Sequence, residues 1–311
     1  MTPPTPTPAQ HKTGIATMVL CALLWSIAGL LTRESSVANG WEVTFWRSGF
    51  LAAFIVAVLA ARHRADALRR VAAMGWPGLV SGVAWAVMFT CFMLALTRTT
   101  VANTLFIMGV LPFCTAAAGW LFLRERVPPR TWLAMAAAAL GIGVMFGDAL
   151  NTGNLEGSLI AAAVPLAAAA NYVAVKRGGG RVDFIAALAL GGLLSMLVTS
   201  PLAYPFSAGG TDLALFATLG VFQLGVPGIL YVMIAVPRLS AAEVGLLSLL
   251  EVIFGPLWVW LSRGETPSAL ALAGGAIVIA ALAVNESIGL ALERRAARRG
   301  VQRGARRIAA P

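Results

Sequence analysis

The chain has 311 residues, of which 59% are hydrophobic and only 12% are charged, and its mean hydropathy is +0.83. This composition leaves no room for a separate soluble domain. The net charge of +10 would suit a nucleic-acid binder, but its Lys and Arg residues border apolar segments, so no nucleic-acid partner is predicted.

Ten apolar segments of membrane-spanning length follow one another along the chain. A transmembrane helix needs about 20 mainly apolar residues. The predicted spans are 14–31, 43–61, 76–96, 101–123, 131–147, 155–175, 184–204, 213–236, 244–261 and 267–284. Residues 1–13 are predicted to be a disordered leader and residues 291–311 an Arg-rich tail. The predicted fold class is an all-α membrane protein with ten transmembrane helices.

The distribution of basic residues predicts the orientation. If the N-terminus is inside, the cytoplasmic segments hold 19 of the 23 Lys and Arg residues. Short loops rich in Lys and Arg stay in the cytoplasm. Both termini are therefore predicted to be cytoplasmic, and the arginines between residues 294 and 307 are expected to hold anionic membrane lipids.

The second half of the chain is similar to the first. At an offset of 140 residues, seven of the 33 positions from 93 to 125 are identical, among them Arg98 with Arg238, Trp120 with Trp260 and Glu125 with Glu265. This pattern predicts two five-span repeats, 14–147 and 155–290. Because five is odd, the second repeat enters from the opposite face, so the halves are inverted, with a substrate site near the bilayer midplane.

Three motifs carry a resemblance to a known family. The sequence WLFLRERVP at 120–128, its counterpart GETP at 264–267, and LEVIFGP at 250–256 resemble the EamA-type, ten-helix members of the drug/metabolite transporter superfamily. Arg47, within FWRS at 45–48, matches an arginine often found in the second helix of that family. The resemblance implies a secondary transporter of the bacterial inner membrane that exports a small metabolite.

Two charged residues inside predicted spans are candidates for function, because burying charge in a membrane is costly. Glu251 lies eight residues into its span and is interpreted as a proton-titrating site or as the counter-charge of a substrate amine; the alternative is a packing carboxyl. Arg47 has a structural interpretation, which we prefer: snorkelling to the interface beside Trp41 and Trp46, or bonding to backbone carbonyls. Its functional interpretation is capture of a substrate carboxylate.

Aromatic, sulfur and amide side chains in other spans predict the lining of a central pocket suited to an amphipathic solute. The predicted substrate-binding residues are Trp25, Trp85, Met88, Asn103, Asn171, Tyr172, Tyr231 and Glu251, and Gln223 is a further amide of this kind. Coupling or gating is assigned to Glu251, Arg47, Pro112 and Pro256, with Gly255 and Pro256 expected to open or kink the helix after Glu251. Glu243, three residues after Ser240, is interpreted as part of a helix-capping box.

An enzyme is not predicted. The sequence has only His11 and His63, both assigned outside the spans, and it lacks HExxH, Cys/His and P-loop motifs. Neither a metal nor a cofactor is expected. The predicted function is export of small amphipathic metabolites, most simply amino acids, by alternating access and as a monomer or homodimer. The alternatives are a lipid flippase, with a cavity open to lipid, and a membrane sensor that transports nothing.

Overall fold

The computed structural model describes residues 7–99, 101–146, 155–263 and 268–308, with residues 293–308 described by their backbone alone. These residues contain ten helices long and apolar enough to cross a membrane, as predicted. They are α1 Pro8–Arg33, α2 Gly40–His63, α3 Gly75–Arg98, α4 Asn103–Leu123, α5 Pro129–Phe146, α6 Leu155–Arg181, α7 Phe184–Ala203, α8 Gly210–Arg238, α9 Ala241–Ser262 and α10 Ala269–Leu292.

Both ends of the chain are more helical than the sequence indicated. Helix α1 begins at Pro8 because the Thr7 side chain and Gln10 form a capping box, and proline is favoured in the first turn. Residues 8–13 therefore belong to α1 and not to a disordered leader. At the other end, the backbone helix that begins at Ala269 continues to Ile308. The arginine side chains of the tail lie outside the described residues.

Four helices are interrupted near the middle of the bundle. Helix α1 breaks at residues 26–27, α4 at residues 109–110 and α9 at Leu249, and α8 contains the π-helical turns Leu219–Gly225 and Tyr231–Ala235. The break in α4 precedes Pro112, which has no N–H for the preceding turn. The break in α9 lies before Glu251. The helix Leu250–Arg263 runs through Pro256, so the chain is not opened there, and the alternative of a kink at Pro256 stays a prediction.

Small residues allow the helices to approach closely. A Cβ atom at Gly191 on α7 would lie 2.5 Å from the Cβ of Trp85 on α3, and one at Gly82 would lie 2.7 Å from Leu190. Helices α5 and α10 meet in the same way at Gly141, where a Cβ would lie 2.8 Å from the Gly274 carbonyl oxygen. Glycine at such positions gives membrane helices their packing contact. Packing between α5 and α10 thus occurs within one protomer.

The two ends of the bundle differ in charge. One end, called the basic end below, gathers Arg62, Arg126, Lys176, Arg181 and Arg238 around one cavity. At the opposite end, two buried carboxylates hold the loops. Glu42 of α2 accepts from the backbone N–H groups of residues 207 and 208 at 2.8 and 2.9 Å, and Asp212 of α8 accepts from the N–H and hydroxyl groups of residue 36 at 2.8 and 2.7 Å.

Candidate functional site

A central cavity of about 110 Å³ lies among the interrupted helices. Its walls come from α1, α2, α3, α4, α6, α8 and α9. The lining residues are Trp25, Arg47, Trp85, Met88, Phe89, Phe92, Met108, Leu111, Thr115, Val164, Ala168, Asn171, Gln223, Leu224, Tyr231, Val244, Ser248 and Glu251. The cavity therefore combines an apolar wall with two opposite charges and two amides.

Aromatic rings form one continuous wall of this cavity. The ring centroids of Trp25 and Tyr231 are 5.7 Å apart, as are those of Trp85 and Tyr231, and Trp85 stacks on Phe89 at 5.2 Å. Aromatic pairs at such distances stabilise one another beyond their buried area. This wall is therefore a fixed surface against which the apolar part of a ligand can lie.

Arg47 is buried in the bundle and does not reach the membrane interface. Its side chain is 1% exposed, and its Nη2 donates to the Phe89 carbonyl oxygen at 2.8 Å. The expected snorkelling is thus wrong, because α2 turns Arg47 toward α3 and the cavity. The alternative of bonding to a backbone carbonyl is confirmed. Arg47 and Glu251 both line this cavity and attract each other electrostatically, but no direct ion pair joins them in the part of the chain that the structure describes.

Several buried polar atoms around the cavity have no hydrogen-bond partner among the described residues. Three are donors, namely Arg47 Nε, Trp85 Nε1 and Asn171 Nδ2, and one is an acceptor, Gln223 Oε1. Their side chains are otherwise fixed: Ser81 Oγ donates to Asn171 Oδ1 at 2.6 Å, and Gln223 Nε2 donates to the Trp25 carbonyl oxygen at 3.2 Å. Buried polar groups are rarely left unpaired, so these atoms are places where a polar ligand can bind.

Most of the predicted substrate residues line the cavity, and two do not. Trp25, Trp85, Met88, Asn171, Tyr231 and Glu251 are all in its wall. Asn103 instead donates to Thr99 Oγ1 at 3.0 Å and to Ser158 Oγ at 2.6 Å. Tyr172 is buried, and its hydroxyl contacts Glu125 Oε1 at 2.9 Å and the Leu239 carbonyl oxygen at 3.1 Å. Asn171 faces the central cavity, whereas the adjacent Tyr172 faces Glu125. A prediction that assigns a whole span to the cavity cannot tell two neighbouring residues apart.

A second cavity, of about 980 Å³, lies at the basic end. The carboxylate of Glu125, two residues after the end of α4, lines this cavity. It accepts from the Tyr172 hydroxyl of α6 at 2.9 Å and from the backbone N–H of Ala241 on α9 at 2.9 Å, so it links the end of α4 to both helices. Asn171, next to Tyr172, lines the central cavity. The bonds of Glu125 with Tyr172 and Ala241, called the Glu125 clasp below, thus connect the walls of both cavities.

Glu243 also lies at the basic end, and its predicted capping box with Ser240 is confirmed. Its Oε2 accepts from the Ser240 N–H at 2.8 Å, and Ser240 Oγ accepts from the Glu243 N–H at 3.4 Å. The sequence analysis placed both histidines outside the spans, but α1 extends to Pro8 and buries His11. His11 Nε2 lies 2.8 Å from Glu243 Oε1.

Several further residues contribute to the site without having been predicted from the sequence. Phe89, which supplies the Arg47 acceptor and stacks on Trp85, follows Trp85 by four residues, so its helical spacing was an available signal. Ser81 is a buried polar residue inside a span, and its hydroxyl donates to Asn171 of the cavity wall, so its polarity was an available signal. Glu286 had no signal in the sequence, because only the packing of α10 brings it near His11.

The ten-helix bundle, with a central cavity lined by charged residues among broken helices, is the architecture of a membrane transporter. A model of the EamA-like transporter family matches residues 12–147 and 155–286, and the chain belongs to this family. It is a multi-pass protein of the bacterial inner membrane.

Relatives of known function are exporters. The Pseudopaline exporter CntI of Pseudomonas aeruginosa, in strains UCBPP-PA14 and PAO1, is 25% identical over 275 residues, which cover 87% of this chain and 94% of the relative. A protein crystal structure matches with a TM-score of 0.74 at 19% identity, over 91% of this chain and 98% of that one. The second similarity supports the fold alone.

Proposed function

We propose that the chain is a secondary exporter of a small zwitterionic amino-carboxylate, of the amino-acid class, which binds in the central cavity. The observation that carries the proposal is the pair of opposite charges, Arg47 and Glu251, lining one cavity without pairing to each other. A buried arginine and a partly buried carboxyl group that attract each other without a direct ion pair are only partly compensated, and a ligand with complementary charges placed between them would stabilise both.

The unpaired atoms favour the same class of ligand. Arg47 Nε, Trp85 Nε1 and Asn171 Nδ2 are donors and suit a carboxylate. Gln223 Oε1 and the Glu251 carboxylate are acceptors and suit an ammonium group. The aromatic wall then contacts the apolar side chain. A cavity of about 110 Å³ is smaller than the roughly 300–1,000 Å³ of sites for drug-sized ligands, so a larger substrate requires the cavity to widen.

Transport is proposed to occur by alternating access between inverted halves, with both termini in the cytoplasm. The family model matches each half separately, and α4 and α9 break at equivalent places, since residue 109 corresponds to Leu249 at the offset of 140. The excess of Lys and Arg at the basic end supports a cytoplasmic location for that end. The basic-end cavity is then the entry path, and the Glu125 clasp is the barrier between it and the central cavity.

The charge requirement of the substrate tests the proposal. Proteoliposomes containing the protein and loaded with leucine are assayed for counterflow of labelled leucine, with isoamylamine and isocaproate as competitors that lack the carboxylate or the amine. We expect unlabelled leucine to compete at least about 10-fold better than either analogue, because each analogue leaves one buried charge uncompensated. Equal competition by the amine would contradict the zwitterion proposal, and flux of lipid without flux of any solute would favour a flippase.

A further inference from the structure

Three potential metal ligands meet at the basic end, outside the central cavity. They are His11 of α1, Glu243 of α9 and Glu286 of α10, and one ligand atom from each lies within 4.8 Å of the other two. His11 is buried, and the side chains of His11 and Glu243 are 5% and 19% exposed. We propose that these three residues bind a divalent transition-metal ion of the Zn²⁺ class, which joins α1, α9 and α10. This site is separate from the central cavity and from the transported substrate.

The distances fit such an ion after a small adjustment. Zn²⁺ binds His nitrogen and carboxylate oxygen at about 2.0–2.2 Å, which places two ligands of a tetrahedral ion about 3.4 Å apart. His11 Nε2 and Glu243 Oε1 are 2.8 Å apart, so they have to separate by about half an ångström. The ligand atom of Glu286 lies within 4.8 Å of each of the other two, so it has to approach them by up to about 1.4 Å to reach the tetrahedral spacing.

Neighbouring groups hold each carboxylate in place. Glu243 Oε2 accepts from the Ser240 N–H and hydroxyl at 2.8 and 2.7 Å, which leaves Oε1 facing His11. Glu286 Oε1 accepts from Asn285 Nδ2 at 3.1 Å, and Asn285 Oδ1 accepts from Thr131 Oγ1 at 3.0 Å. Ligands fixed in this way by an outer shell of hydrogen bonds are typical of metal sites.

Charge and access also favour a cation. Two carboxylates and a neutral imidazole carry two negative charges, which a divalent ion balances. One imidazole with two carboxylates and an open fourth position is a donor set that Zn²⁺ accepts. His11 and Glu243 line the basic-end cavity of about 980 Å³, so an ion can enter from solvent. The competing explanation is that protonated His11, with Arg130 of α5 nearby, balances the two carboxylates without any metal.

Zinc titration of the purified full-length protein, stripped with a chelator, tests the site. Binding is measured by competition with a chromophoric chelator for the wild type, His11→Gln and Glu286→Gln. The matched control is His63→Gln, because His63 Nε2 lies 2.9 Å from Asp183 Oδ2 at the same end of the bundle and belongs to no three-ligand group among the described residues.

We expect one Zn²⁺ per wild-type chain, at least about 10-fold weaker binding in His11→Gln and Glu286→Gln, and no change in His63→Gln. Absence of stoichiometric binding in the wild type, or equal binding by all variants, would overturn the proposal and leave a proton-balanced cluster. If a variant fails to fold, X-ray absorption on the wild-type zinc complex still identifies the ligand atoms of the bound metal. A shell of nitrogen and oxygen at about 2.0–2.1 Å supports the site, whereas a sulfur shell at about 2.3 Å would assign the metal to cysteine and contradict it.

Discussion

Arg47 and Glu251 together explain why the central cavity would select a zwitterion, because each supplies one of the two charges that such a ligand needs. The two residues lie on different helices, and Arg47 Nη2 donates to the Phe89 carbonyl oxygen. Its Nε stays without a partner among the described residues and is available to an anion. At the residue scale, recognition of a zwitterion therefore depends on two separate contacts that can be removed one at a time.

Replacing Arg47 tests the carboxylate contact. We expect Arg47→Gln to weaken leucine binding by about 10- to 100-fold, because a charge-assisted hydrogen bond contributes about 1.5–3 kcal/mol. Isoamylamine has no carboxylate, so its weaker binding should change little. Both affinities are measured by equilibrium binding to the detergent-solubilised protein. A parallel loss for leucine and isoamylamine would show that Arg47 acts only through packing.

Replacing Tyr172 tests the Glu125 clasp. Tyr172→Phe removes the hydroxyl that contacts Glu125 and the Leu239 carbonyl oxygen, and leaves the carboxylate with the Ala241 N–H. We expect a loss of about 1–3 kcal/mol in the free energy of unfolding, because the Glu125 carboxylate and the Leu239 carbonyl oxygen lose the hydroxyl that contacts both. The control is Tyr204→Phe at a side chain that is 74% exposed. Equal stability of the two variants in denaturant titrations would exclude a clasp.

The crossing of α4 and α9 is the clearest feature at the scale of helices. These helices occupy equivalent positions in the two proposed halves, and each is broken in its first half. Gly245 of α9 lies against Pro112 and Thr115 of α4, where a Cβ would lie 2.6 Å from the Pro112 Cα. A backbone atom can move away only if its whole helix moves, whereas a flexible side chain can change rotamer. The contact at Gly245 therefore fixes the distance between α4 and α9.

A pair of glycine substitutions on α9 tests this crossing. We expect Gly245→Ala to lower the free energy of unfolding by about 1–3 kcal/mol, through overpacking against Pro112. On the same helix, a Cβ at Gly255 would meet nothing within 4 Å, so Gly255→Ala should be neutral or stabilise by up to about 1 kcal/mol. Thermal and denaturant unfolding measure both. Similar losses in the two variants would mean that the crossing is not tightly packed.

Sequence patterns predicted the helices better than their interruptions. Mean hydropathy is averaged over about 20 residues, so it identifies whole membrane spans, and all ten were predicted. A break of one residue leaves that average unchanged, and Leu249 has no proline or glycine beside it that would mark the break. Arg47 was misplaced for a related reason: distance along α2 puts it near an aromatic belt, but packing against α3 decides which way it points. The contact of His11 with Glu243 joins residues far apart in sequence and was out of reach of any local pattern.

At the scale of the whole molecule, the proposed orientation has a direct test. In a variant without the native cysteines, single cysteines replace the exposed residues Arg181, at the basic end, and Tyr204, at the opposite end. With a membrane-impermeant thiol reagent on intact cells, we expect labelling at position 204 and protection at position 181 until the membrane is permeabilised. The reverse pattern would place the basic end outside and contradict the proposed entry path.

The most direct test of the central claim is leucine counterflow in proteoliposomes, with wild type compared with Glu251→Gln at one acidic and one alkaline pH. Glu156→Gln serves as the control, because that side chain is 58% exposed and lies outside the central cavity. A carboxyl group changes charge with pH and a carboxamide does not, so the account predicts pH-dependent flux in the wild type and the control. It predicts lost or pH-independent flux in Glu251→Gln. Equal flux and equal pH dependence in all three proteins would contradict the assignment of Glu251 to the substrate site.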